Sequence, residues 1–125
     1  MQQQDSQYLV DVFHAANRIL EYTESSSCQT FYQDVQLQDK VMRRLLAIEK
    51  AAKRISPKTR QQLPAIAWSR LVSIKPRLLR EDPVIDLEQL WNITQSEIPA
   101  LAQSLATYVL PERETPVGLS SLQKV

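Results

Sequence analysis

The sequence predicts an all-α protein, an antiparallel bundle of four to five helices. Over three separate stretches, apolar residues recur at the three- and four-residue steps that align them along one side of a helix. No stretch alternates apolar and polar residues for the length of a strand. The chain has a single glycine against 7 prolines. That balance disfavours tight hairpins, whose turns need positive φ, and glycine-rich phosphate loops.

A chain of 125 residues suits one domain and can bury roughly 65–70% of the surface its unfolded state exposes. Residues 1–110 carry the helical pattern and form the expected bundle domain. Residues 111–125, with two prolines, the lone glycine and no apolar period, are expected to form a flexible C-terminal tail. A formal net charge of +1 makes no global case for nucleic-acid binding. Cys28 is the only cysteine, so no intrachain disulfide can form, as suits a reducing cytoplasm. The polar start MQQQDSQ lacks the pattern of a signal peptide, and no apolar run is long enough to span a bilayer. One histidine and one cysteine cannot build a zinc site of the usual kind, and no cofactor is expected.

Taken in order, the first helix is expected from about Asp5 to Glu24, with Leu9, Val12, Phe13, Ala16, Ile19 and Leu20 on its apolar face. Asp5 or Ser6 can cap its start, and Ser25-Ser26-Ser27 ends it. A single turn at Gln29–Gln33 presents Phe31 and Tyr32. The longest helix of this first half follows from Val35 to Ile55. Its apolar stripe is Leu37, Val41, Leu45, Ile48, Ala52 and Ile55. Lys40, Arg43, Lys50, Lys53 and Arg54 fall on the other side. That basic face would attract RNA phosphates or an acidic partner. A plain solvated face is the preferred reading, because no aromatic residues interleave to stack bases.

Ser56-Pro57 has the form of a helix cap followed by proline at the first helical position, starting a short helix to about Leu63. The segment from Trp68 to Leu79 carries Trp68, Leu71, Val72, Leu78 and Leu79 as apolar positions, with a kink or early end expected at Pro76. Glu81, Asp82 and Pro83 make a turn. Asp86 with Gln89 then opens the last helix as a capping box. Leu87, Leu90, Trp91, Thr94, Ile98, Leu101, Leu105 and Tyr108 form its stripe, Pro99 bends it and Pro111 stops it.

The chain's most motif-like spacing lies in WSRLVSIKPRLLREDPVIDLEQLW, Trp68 to Trp91. Four residues separate Lys75 from Arg80, and Asp82 follows two later. Here, and in the LLAIEKAAKRI, PAIAW and DLEQLWNITQSEIPAL segments, the chain resembles the HepT-like branch of the HEPN superfamily, from about Tyr8 to Leu110. The resemblance implies a HEPN-like antiparallel bundle that forms a homodimer. It also implies a metal-independent ribonuclease site at the dimer interface, with the motif arginine, four residues, histidine, one residue, tyrosine. Active members are toxins, held by an antitoxin nucleotidyltransferase of the MNT type. Lys75 stands at the arginine place, Arg80 at the histidine place, Asp82 at the tyrosine place, and Pro76 where a polar residue usually follows the arginine.

These replacements change the chemistry. Cleavage through the ribose 2′-hydroxyl needs a base and an acid, which histidine supplies near neutrality. Arginine stays protonated, so Arg80 can neutralise a phosphate but cannot take a proton. Lys75 can meet a phosphate as a point charge, and Arg77 adds another cation to this RNA-binding set. Asp82 repels RNA and lacks the phenolic hydroxyl that the antitoxin can modify. His14, the only imidazole, is the one outside candidate for a general base; its other reading is an exposed or dimer-facing polar residue. Cys28 reads as structural, since nothing nearby in sequence would lower its pKa. The expected function is that of a degenerate HepT-like toxin–antitoxin component, a non-catalytic dimer that binds a nucleotidyltransferase partner or RNA. The alternatives are an active ribonuclease toxin using substituted residues and a helical adaptor whose basic face docks an acidic partner.

Overall fold

The computed structural model describes residues 3–79 and 84–114. Its helices are α1 (Gln3–Thr23), α2 (Cys28–Gln33), α3 (Val35–Arg54), α4 (Pro57–Gln62), α5 (Trp68–Leu71), α6 (Ile74–Leu78), α7 (Leu87–Asn92) and α8 (Ile98–Glu114). A π-helical segment, Ile93–Glu97, joins α7 to α8. Among the described residues there is no strand, only an isolated antiparallel bridge between Leu79 and Ile85. The all-α, HEPN-like bundle expected from the sequence is the fold observed.

Helices α1 and α3 run antiparallel, with Asp5 bonded to Ser56 at one end and Lys40 over the Tyr22 ring at the other. Val12, Ala16 and Ile19 from α1 and Val41, Leu45, Ile48 and Ala52 from α3 lie in one core, each essentially inaccessible to water. The expected stripes are therefore the buried ones, with Leu20 and Leu37 half-buried at the margins. Helix α8 packs along α1, while α2, α5 and α6 pack against α3.

Helix ends are closed by side chains where the sequence allows it. Ser27, Asp34, Ser56 and Asp86 each accept a bond from the backbone N–H three residues on, satisfying a donor that the helix itself cannot. Arg60 reaches back from α4 to the Ala52 carbonyl at 2.8 Å and lies over the Trp68 ring.

Three expectations change. The break in the central segment falls at Val72-Ser73, between α5 and α6, and Pro76 sits in the first turn of α6. Proline cannot donate to the carbonyl four residues back, so the break appears at Val72 and not at the proline. Helix α8 continues through Pro111 to Glu114, since a helical φ is available to proline and the lost bond is a single one. Tyr108 is exposed, and Val109 takes the buried position. Residues 115–125 of the expected tail lie outside the described residues.

One buried polar contact ties the start of the chain to its middle. Asp5, only 2% exposed, accepts bonds from the Ser56 hydroxyl at 2.6 Å, the Thr59 hydroxyl at 2.6 Å and the Ser56 N–H at 3.1 Å. The Ser56 hydroxyl bond, followed by that from Thr59, holds the Asp5 carboxyl below its ordinary value, against a smaller opposing effect of burial. Asp5→Ala should cost about 2–3 kcal/mol, the loss of bonds to a charged group, read as a lower urea midpoint at pH 7. Because the folded pKa is depressed, this stabilisation is present above the unfolded value of 3.8. It disappears as pH falls through the folded value, so wild type and variant should converge there.

Candidate functional site

The motif-spaced segment lies on α6 and the connection to α7. Restarting the helix at Ile74 sends the Ile74 and Leu78 side chains into the core and leaves Lys75 exposed. Asp86 N–H bonds the Leu78 carbonyl at 2.9 Å, and together with the Leu79–Ile85 bridge this pins the two ends of the connection side by side. Arg80 and Asp82, at the histidine and tyrosine places of the resemblance, lie outside the described residues. Lys75 makes no hydrogen bond or ion pair with another described side chain.

Arg77 has a different setting. Its guanidinium grips Glu97 with both terminal nitrogens, Nη1 at 3.1 Å from Oε1 and Nη2 on Oε2. Arg70 adds a bond from Nη2 to Oε2 at 2.8 Å. Burial alone would raise the Glu97 carboxyl, but bonds from Arg77 and then Arg70, with their charges, outweigh it and hold the group below its ordinary range. Arg70 is raised in turn, chiefly by its bond to Glu97. The cluster joins α5, α6 and the π segment beside a cavity of about 230 Å³ whose walls include Ala67, Leu71, Ala100 and Ser104. Arg77 is thus committed to an internal carboxylate, and any phosphate must compete with Glu97 for it.

His14 is exposed on α1. It lines two adjoining grooves shared with α3 residues, Arg44 among them, and neither groove includes a residue of α5 or α6. Within one chain the structure does not bring His14 together with Lys75. Cys28 is half-buried in the first turn of α2. Its closeness to the Tyr32 phenol is the main reason that group is pushed up to about 12. Among the described residues no group of three His, Cys, Asp or Glu could hold a metal ion, and no helix is long and apolar enough to cross a membrane.

The sequence reading missed Arg70 and Glu97. Their link spans 27 residues and has no periodic signature. The signal was Pro99, which forces the helix to rearrange just where Glu97 sits. It also missed Arg44, counted on neither face of α3, which lines both grooves.

An all-helical bundle with a short, proline-restarted helix before a capped α7 defines a HEPN-type domain. The chain belongs to the ribonuclease HepT-like family, whose model matches residues 12–107. It is 28% identical over 101 residues to a protein of Thermococcus cleftensis named as a probable ribonuclease HepT, spanning 81% of this chain and 92% of that one. It is 24% identical over 98 residues to a Methanocaldococcus jannaschii protein named as a putative RNase, spanning 78% and 90%. A second protein of that organism, named as a gamma-glutamylcyclotransferase and putative RNase, is 28% identical over 98 residues, and the match covers 44% of its length. No solved structure matches the chain.

Glu97 is expected to hold α5, α6 and the π segment together. Glu97→Gln should lower stability by about 1.5–3 kcal/mol at pH 7, the range for bonds to charged groups, measured by urea unfolding. With its folded pKa depressed, Glu97 stabilises above the ordinary value of 4.5. The difference from Glu97→Gln should shrink as pH drops through the folded value.

Proposed function

We propose that this chain is a HepT-like component of a HEPN/MNT-type toxin–antitoxin module that has kept the ribonuclease scaffold without its acid–base chemistry. It acts as a dimeric binding protein for a nucleotidyltransferase partner. The observation that carries this reading is the position of the only imidazole. His14 sits in a groove between α1 and α3, while the segment aligned with the family motif carries Lys75, Pro76 and Arg77. Lys75 offers a point charge, and Arg77 is engaged by Glu97. A guanidinium stays protonated and cannot serve as the base that takes a proton from a 2′-hydroxyl. Arg80 and Asp82 supply no histidine and no tyrosine.

Without a proton carrier the bundle can still present cations to RNA and a face to a partner. Loss of a general acid–base group costs about 10²–10⁴-fold in rate. Membership of a ribonuclease family favours a second reading, a metal-independent ribonuclease working through substituted residues.

The test is a cleavage assay on single-stranded and transfer RNA in the presence of a chelator. The wild-type protein should leave both substrates intact. The combined variant Lys75→Arg, Arg80→His and Asp82→Tyr should gain cleavage by at least about 10²-fold over wild type. Wild-type cleavage that His14→Ala or Lys75→Ala abolishes would establish the second reading instead.

A further inference from the structure

We propose that the groove between α1 and α3 is the docking site for an acidic, amphipathic helix of a partner protein. The inference is independent of the proposed function, since it concerns a different surface and holds whether or not RNA is cut.

The groove, with a volume of about 490 Å³, has Ala15, Ala47 and Ala51 along it and Arg44, Lys50 and Arg54 among its walls. The three alanines let another backbone come close. The three cations span ten residues of α3, about 15 Å at the helical rise. Elsewhere on α3 the sequence gives its cations local partners. Arg43 pairs with Asp39 at 3.0 Å, and Lys53 with Glu49 at 3.5 Å. Arg44, Lys50 and Arg54 have no ion pair or hydrogen bond with another side chain among the described residues. Lys50 and Arg54 moreover stand four residues apart, as do Lys40 and Arg44, and like charges at that spacing destabilise a helix. Two of the outer cations of α3 are thus paired, while its groove side carries three cations with no ion pair among the described residues, faced from α1 by the single carboxylate Asp11. Carboxylates on an incoming helix would relieve that repulsion, and the helix's apolar anchors would meet the alanines.

A nucleic-acid strand fits less well. Asp11, bonded by the Gln7 amide at 2.9 Å, also lines this groove. A phosphodiester chain carries a negative charge at every unit and cannot avoid it, whereas a helix can place a neutral residue there. The lining aromatics are Tyr8 and His14, both from α1. That is a sparse platform for successive bases, which need a series of stacking partners.

The test is fluorescence anisotropy with the full chain and a labelled helical peptide of roughly 18 residues, about 27 Å long. The probe carries leucines at i, i+3, i+4 and i+7 and glutamates on both sides. It should bind with an affinity that falls as salt is added, and its Glu→Gln counterpart should bind at least about tenfold more weakly. Substituting Arg44→Gln, Lys50→Gln and Arg54→Gln together should weaken the acidic peptide by about tenfold. Arg43→Gln with Lys58→Gln should leave binding unchanged. The triple variant should also melt no lower than wild type, because it removes like-charge pairs.

Equal binding of the two peptides, or indifference to the triple substitution, overturns the proposal. So does a fall in melting temperature for the triple variant, which would make those cations structural. An oligo(U) of similar length that binds more tightly than the acidic peptide, and loses affinity in the triple variant, would assign the groove to nucleic acid instead.

Discussion

Everything in this fold leans on α3, which has one side to bury and four elements to bury it against. Val41, Leu45, Ile48 and Ala52 are shielded by α1 along one edge, while α2, α5 and α6 pack elsewhere on the same helix. Removing these side chains from water is the main favourable term, roughly 1.5–3 kcal/mol for each fully buried large aliphatic. A helix used so heavily on one side has little left to do on the other except stay hydrated. That confines its charge to a narrow strip, and part of the strip becomes the wall of a groove with α1.

Proline shapes the second half of the chain as strongly as apolar spacing shapes the first. Pro64, Pro76 and Pro99 interrupt what would otherwise be two long helices. The interruption nearest Pro76 turns a polar side chain toward a neighbour. Between α5 and α6 it leaves Lys75 in water and turns Arg77 toward the π segment. Glu97 answers both Arg70 and Arg77 there, so one carboxylate is shared by two guanidiniums while Lys75 stays in water. The two arginines are thereby tied into holding α5, α6 and the π segment together.

The sequence revealed whatever depended on neighbours within a turn or two. The Ser56-Pro57 and Asp86–Gln89 starts behave as their residue types require, because a cap bond spans three residues. The stripes of α1 and α3 are buried for the same reason. Contacts that jump across the chain were not legible. Asp5 meets Ser56 across 51 residues, and nothing in an aspartate near the start of a helix announces a hydroxyl partner that far away. The apolar positions read for the central segment omit Ile74, which is buried, because a helix that stops and restarts changes phase. Tyr108 failed for a different reason, since Tyr108 and Val109 stand three and four residues after Leu105 and spacing alone does not choose between them. The cations of α3 could be counted, but which of them share a groove depends on where α1 lies. Arg80 and Asp82, the two positions on which the chemistry turns most, lie outside the described residues.

The π segment also has a consequence for changes in the length of the chain. There the Ile98 N–H bonds the Ile93 carbonyl, five residues back, so the turn holds one residue more than an α-helical turn would. Deleting one residue between 93 and 97 would let the helix close into ordinary pitch while the residues after it kept their faces, because the widened turn already absorbs the extra residue. Leu101, Leu105 and Val109 would stay on the core side, and the change would fall on the widened turn that carries Glu97. A change of length there would thus act on the seat of Glu97 and its bonds to Arg70 and Arg77 more than on the packing of α8 along α1.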